Sequence, residues 1–451
     1  MSVLILVLAG AMVLGGWSEG SHQAGAHQLT TVVQQDRFAG PRDRPSARVS
    51  ARGGHVVFSS YARLVVTDAN QMRDVYVLDL STGQLTLESL GREGSAADGD
   101  SGSPDISGDG RYVVFVSSAG NLAETKIAPG MPRVFLRDRE NATTRLLTTS
   151  TSGAPANGYS NNPAISADGT TVVFESAATD LLQSDAADDV SVYLMRPSSS
   201  ERTRLNVSGA SEPRAGQSGS PSISANGRYI AFMSKADLTC GDASACLREP
   251  PDRNRVADVY IRDVLTKTTT RVSRSHTGQD SNGASYDPVV SGDGRYVVFV
   301  SEASNLTRDS GRHVAQVYSR DIVNGVTALV SRNPSGRRAN GPSLHPAVSH
   351  DGSTVAFQSL ASDLLCIDHC DDAQRDINLV WDVFVHDRRT RRTIRASAGD
   401  GDEEWMESSR APSLDGTGRV LAFGSRRPVH GRADSHDENL FVWAPRSEDS
   451  P

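Results

Sequence analysis

Three acidic stretches are the first places where this chain could do chemistry. One reads SDAADDV and holds Asp185, Asp188 and Asp189. A second carries Asp368, Asp371, Asp372 and Asp376, and a third Asp434, Asp437 and Glu438. Clustered carboxylates are the donors a hard cation such as Ca²⁺ takes, although none of these stretches has the EF-hand loop pattern. The expectation is solvated polar loops, with structural calcium as the alternative. No cofactor is otherwise indicated.

Four cysteines fall in two close pairs, Cys240 with Cys246 and Cys366 with Cys370. In an exported protein two such pairs read as loop disulfides. A metal site at Cys366, His369 and Cys370, or free thiols, are the alternatives. The remaining histidines, among them His276, His313, His345, His350, His386, His430 and His436, are scattered and lack H-E-x-x-H spacing. No G-x-S-x-G elbow is present. No catalytic residue is assigned.

The charge balance of 46 basic against 54 acidic residues gives −8, which argues against nucleic acid or an anionic membrane as the main partner. Val3 to Leu14 is an apolar run too short to span a bilayer, and Ala24-Gly25-Ala26 fits a signal-peptidase site. The run lacks a basic flank, since no Lys or Arg precedes Arg37. Residues 1–26 are therefore expected to be a signal peptide. The destination is expected to be secreted, extracellular or periplasmic, with no later membrane span.

The elements that must position these residues are legible in one phrase. SGDGRYVVFVS occupies positions 107–117 and returns unchanged at 291–301. Related copies begin near 47, 104, 163, 221, 288, 346 and 412, seven in all. Each copy predicts four strands. A short first strand such as PSIS leads through Asp-Gly or Asn-Gly, a strong hairpin signal, into an apolar second strand such as RYVVFVS. A long polar loop follows. The third strand alternates, as in DVYIRD, and the fourth is Thr-rich, as in TKTTTRVS. An apolar share of 37 % with 40 glycines suits short strands and turns better than packed helices. Four antiparallel strands at a fixed period are propeller blades, and a blade must stack on neighbours to bury its faces.

The expected fold is thus all-β, a single seven-bladed β-propeller over 27–446 with a tail at 447–451. The seventh copy ends at NLFVWAPRS without a fourth strand. HQLTTVVQQ, ahead of the first copy, resembles the fourth strands, so Thr30 to Gln34 is expected to complete blade seven.

SGDGRYVVFVS followed by DVYIRD resembles the WD40-like (PD40) TolB-type propeller repeat, close to S-P-D-G-x-x-I-A-F and then D-I-Y-x-x-D. The resemblance covers nearly the whole chain past 26. It implies the propeller fold and is unspecific for function. TolB itself carries an α/β domain ahead of its propeller, and only a short segment precedes the first strand here, so a relative by repeat is expected, and not TolB itself.

Alternate connections of a four-stranded meander fall on opposite faces. The variable loops after strands two and four share one face, where binding usually resides. Insertions at 235–257 and 360–381 hold the cysteine pairs. Asp185, Asp188, Asp189, Asp371, Asp372 and Asp376 are the candidate binding residues there. Recurring Asp74, Asp258 and Asp382, and Asp79, Asp138, Asp263, Asp321 and Asp387, are expected to accept bonds from turn N–H groups. The function expected is a non-catalytic binding module, monomeric, taking a protein, peptide or envelope glycan on its long-loop face. The alternative is an extracellular propeller enzyme such as a carbohydrate lyase, hydrolase or lactonase, an analogy at fold level only.

Overall fold

A computed structural model describes residues 27–34, 47–91, 94–123, 127–183, 189–208, 212–213, 216–239, 252–308, 311, 313–366, 376, 378–398, 405–427 and 439–445. The recurring phrase folds the same way wherever it occurs. The Ser107 hydroxyl donates to Asp109 Oδ1 at 2.6 Å and accepts from the Tyr112 N–H at 2.9 Å. The same Asp109 oxygen accepts from the Arg111 N–H, and Gly110 sits at φ 78°, a region that favours glycine. Ser291, Asp293, Gly294 and Arg295 repeat this turn.

Seven four-stranded antiparallel sheets result, each in the order first to fourth strand. The first blade runs Arg48–Val49, His55–Ser60, Asp74–Asp79 and Leu85–Leu87. The fourth runs Ser218–Ile223, Tyr229–Ser234, Asp258–Asp263 and Thr268–Arg271. In the seventh, Ser409–Leu414, Leu421–Ser425 and Asn439–Pro445 are completed on the outside by His27–Gln34. That strand pairs from His27 opposite Pro445 to Gln34 opposite Asn439, so the closure expected from the sequence is present and begins earlier than Thr30. A two-stranded ribbon, Val207–Ser208 with Glu212–Pro213, is the one addition among the described residues. No helix among them is long and apolar enough to cross a membrane.

Packing follows the repeat. Every blade stacks the Phe of its second strand on an aromatic ring of its third, from Phe58 on Tyr76 to Phe423 on Phe441, with centroids 5.7–6.2 Å apart. Between blades, valines of one sheet meet the next, as Val57, Val75 and Val77 meet Val113 and Phe115. The turn glycines allow the closest approach. A Cβ on Gly294 would lie 2.1 Å from the Tyr229 ring, and one on Gly352 2.2 Å from Tyr296. The phrase repeats because its Tyr must cover the next blade's glycine.

Candidate functional site

The first strands of all seven blades surround a central channel, a cavity of about 290 Å³. Its two ends are built differently. At the end of the short turns, backbone groups link blade to blade in a closed ring. Arg52 donates to Gly108, Gly108 to Ala167, Asp168 to Ala225, Ala225 to Gly292, Asp293 to His350, His350 to Gly416 and Gly416 to Ala51, at 2.7–3.3 Å. Small residues at these positions let the turns draw in. His350 is the exception, and its imidazole covers Gly292, where a Cβ would meet Nδ1 at 2.2 Å.

Toward the long-loop end, six blades place one residue in a left-handed conformation immediately before a proline. These are Ser103, Asn162, Ser220, Asp287, His345 and Ala411, with φ between 47° and 53°. All six line the channel. Pairing with the second strand slips at each, as between Gly102 and Asp105, which is a β-bulge that re-aims a side chain. Proline disfavours helical backbone in the residue before it. A non-glycine residue held this way costs about 1–3 kcal/mol, and such strain gathers at functional sites. Neighbouring blades hold the strained backbone at two of these residues, Ser220 and Ala411. Glu175 accepts from the Ser220 N–H and from Asn162 Nδ2, and Gln358 Oε1 accepts from the Ala411 N–H at 2.9 Å.

The six side chains are of five types, and two of them form a pair. His345 Nδ1 lies 2.9 Å from Asp287 Oδ2, across the boundary between blades five and six. The carboxylate is the more enclosed partner, with 13 % of its side chain exposed against 34 % for the imidazole. Beside them Tyr286 is pushed up to about 12 by burial, with Glu302 and Asp287 adding to it. Other polar groups of the wall serve the ring. Asp105 Oδ2 accepts from the Ile165 N–H at 2.9 Å, Ser222 Oγ from Val290 at 2.7 Å and Ser413 Oγ from Val49 at 3.1 Å. Burial raises the Asp105 carboxyl above the usual carboxylate range, and the Arg48 guanidinium opposes this.

Of the six acids singled out as binding candidates, Asp189 and Asp376 are among the described residues. Asp189 is exposed, and its Oδ2 accepts from the Gly216 N–H at 2.9 Å. Asp376 is buried at 8 % exposure, against the expectation of a solvated loop acid. Asp185, Asp188, Asp371 and Asp372 lie outside the described residues, as do Cys240, Cys246 and Cys370. Cys366 is disulfide-bonded, and the pairings Cys240–Cys246 and Cys366–Cys370 stay proposals. Among the described residues no three His, Cys, Asp or Glu gather closely enough to hold a metal ion. The carboxylates after the third strand behave as expected. Asp138, for example, accepts from the Glu140 and Asn141 N–H groups at 3.1 and 3.2 Å. Those before it differ: Asp74, Asp258 and Asp382 are fully buried and accept from the hydroxyls of Ser89, Ser273 and Ser397.

No family profile matches the sequence, and no curated protein matches it. Solved structures do. An oligogalacturonate lyase in complex with manganese aligns over 94 % of this chain and 95 % of its own, at 14 % identity and a TM-score of 0.50. An oligogalacturonate lyase from Vibrio parahaemolyticus aligns over 95 % and 96 %, at 13 % identity and a TM-score of 0.50. TolB from Acinetobacter baumannii aligns over 81 % of this chain and 67 % of its own, at 17 % identity and a TM-score of 0.40. At these identities the likeness is one of fold. The chain is a β-propeller of seven four-stranded blades.

Proposed function

We propose that the protein is an exported TolB-type propeller that binds a protein, peptide or envelope glycan without chemistry, admitting part of its ligand to the channel from the long-loop end. The ring of six residues, of five side-chain types, on left-handed backbone carries this reading. Seven-fold repetition needs only one residue type there, and the chain spends strain on Ser103, Asn162, Ser220, Asp287, His345 and Ala411 instead. The long-loop face supports it with exposed apolar side chains. Leu379 is 78 % exposed and itself left-handed at φ 57°, and Met406 is 64 % exposed.

The second reading, a propeller enzyme such as a carbohydrate lyase, has the His345–Asp287 pair in its favour. An imidazole oriented by a carboxylate is what a general base requires. It needs a second group to act on the leaving side. The other two lining carboxylates are engaged, Asp105 by Ile165 and Asp415 by the N–H groups of Arg419 and Val420.

Peptide and glycan arrays probed with the wild-type protein, Asp287→Asn and His345→Ala separate the two. The binding reading expects ligands retained unchanged, with affinity at least about tenfold lower in both variants. A retained ligand that is converted to product, with conversion lost in His345→Ala, would replace it with the enzyme reading.

A further inference from the structure

Three blades carry the same loop ahead of the third strand, an Asp, an Asn two residues on and a second Asp four beyond. They are Asp68, Asn70 and Asp74; Asp252, Asn254 and Asp258; and Asp376, Asn378 and Asp382. The first and fourth blades bond this motif alike. Tyr76 donates to Asp68 Oδ2 as Tyr260 does to Asp252 Oδ2. Ser89 donates to Asp74 Oδ1 as Ser273 does to Asp258 Oδ1. The asparagine Oδ1 accepts from Met72 N–H in one and Val256 N–H in the other.

The two remaining carboxylate oxygens set the blades apart. In the fourth blade Asn254 Nδ2 donates to Asp258 Oδ2 at 2.9 Å, and Asp252 Oδ1 and Asp258 Oδ2 lie 3.2 and 3.9 Å from one atom, Nη1 of the buried Arg271. In the first blade the equivalent oxygens, Asp68 Oδ1 and Asp74 Oδ2, are buried with no hydrogen-bond partner. Asp68 is 5 % exposed and Asp74 is sealed. The register explains the loss of the cation. Arg271 stands opposite Tyr260 on the fourth strand, Arg395 opposite Phe384, and Leu87 opposite Tyr76. The first blade keeps both acids and lacks the cation. Two buried carboxylates left uncompensated are strongly unfavourable.

We propose that the Asp68–Asp74 loop of the first blade binds a calcium ion through Asp68 Oδ1 and Asp74 Oδ2, the ion replacing the guanidinium that Arg271 supplies in the fourth. Hard oxygen donors select it, and the Asn70 side-chain oxygen and loop carbonyls are of the same kind. The site is separate from the channel, and it is distinct from the acidic stretches at 185–189 and 368–376.

Full-length protein freed of metal by chelation is titrated with Tb³⁺, excited through tyrosine, and the emission is displaced with Ca²⁺. Tyr76, bonded to Asp68, is the expected sensitiser. Thermal unfolding is followed with and without Ca²⁺. The expected result is Ca²⁺-displaceable emission and a midpoint raised by a few degrees. Both are lost in Asp68→Asn, in Asp74→Asn and in Leu87→Arg, which restores the fourth blade's arginine. The asparagine variants keep the acceptors for Tyr76 and Ser89, so they carry the test if Leu87→Arg does not fold. A Ca²⁺ response of equal size in wild type and asparagine variants would place the ion elsewhere and overturn the proposal. So would no response at millimolar Ca²⁺, with the midpoint rising only on acidification, since a proton would then fill the ion's role.

Discussion

Asp74 shows how one residue type takes two roles. Burial lifts its carboxyl from 3.8 to about 6 against the pull of the Ser89 hydroxyl. The folded state therefore holds this proton more tightly than the unfolded state. Without a cation, its contribution to stability is lost as pH rises from about 4 to about 6. A shift of that size corresponds to about 3 kcal/mol. Asp74→Asn is accordingly expected to match the wild type near pH 4 and to be more stable by up to about 3 kcal/mol at pH 7, in urea unfolding with chelator present. His386 has the opposite sign. Burial and then Arg332 lower it to about 4, so its share of stability is lost as pH falls from 6.5 toward 4. The wild-type-minus-variant difference, and not the wild-type profile alone, isolates each group. The acids of the motif were visible in the sequence as recurring letters. Their burial was not, because a carboxylate before a strand reads the same whether it caps a turn or faces a buried arginine on the neighbouring strand.

At the scale of the element, the turn glycines separate two costs. Gly294 has φ 76°, and a Cβ there would lie 2.1 Å from Tyr229. Gly153 has φ 84° and nothing within 4 Å of that Cβ. Gly153→Ala should therefore show the backbone term alone, about 1 kcal/mol. Gly294→Ala adds displacement of the tyrosine and should exceed it by at least about 1 kcal/mol, within the range for overpacking. Equal losses in chemical denaturation would mean that the inter-blade contact is not tight. Strand order and hairpins were legible because they repeat with the phrase. The channel wall was not. The residue before the proline takes five types in six copies, from Ser103 to Ala411, and variation within a repeat looks like tolerance until the backbone shows strain at all six. Asp287 and His345 are distant in sequence and adjacent only because blades five and six are.

At the scale of the whole molecule, the ring closes through His27–Gln34 on the outer edge of the seventh blade. Removing these residues exposes the edge of Asn439–Pro445, which then offers unpaired backbone groups to another chain. The shortened protein is expected to unfold several degrees lower and to self-associate in sedimentation. An unchanged midpoint with a monomeric profile would show that the closing strand does not fasten the ring. Closure was legible from HQLTTVVQQ because it matched the Thr-rich fourth strands and one copy lacked one. The asymmetry of the two channel ends was less so, since hydrogen bonds between turns of different blades leave no local signature.

The account stands on the channel as the place where a ligand enters from the long-loop end. Ser103 is exposed on its wall. The direct measurement is affinity for an array-selected peptide or glycan in Ser103→Cys, before and after coupling a bulky maleimide. Entry through the channel predicts measurable affinity in Ser103→Cys before coupling and loss of that binding after it, with the thermal midpoint unchanged by coupling. Full affinity in the coupled protein would contradict it and move the binding surface to the outer loops.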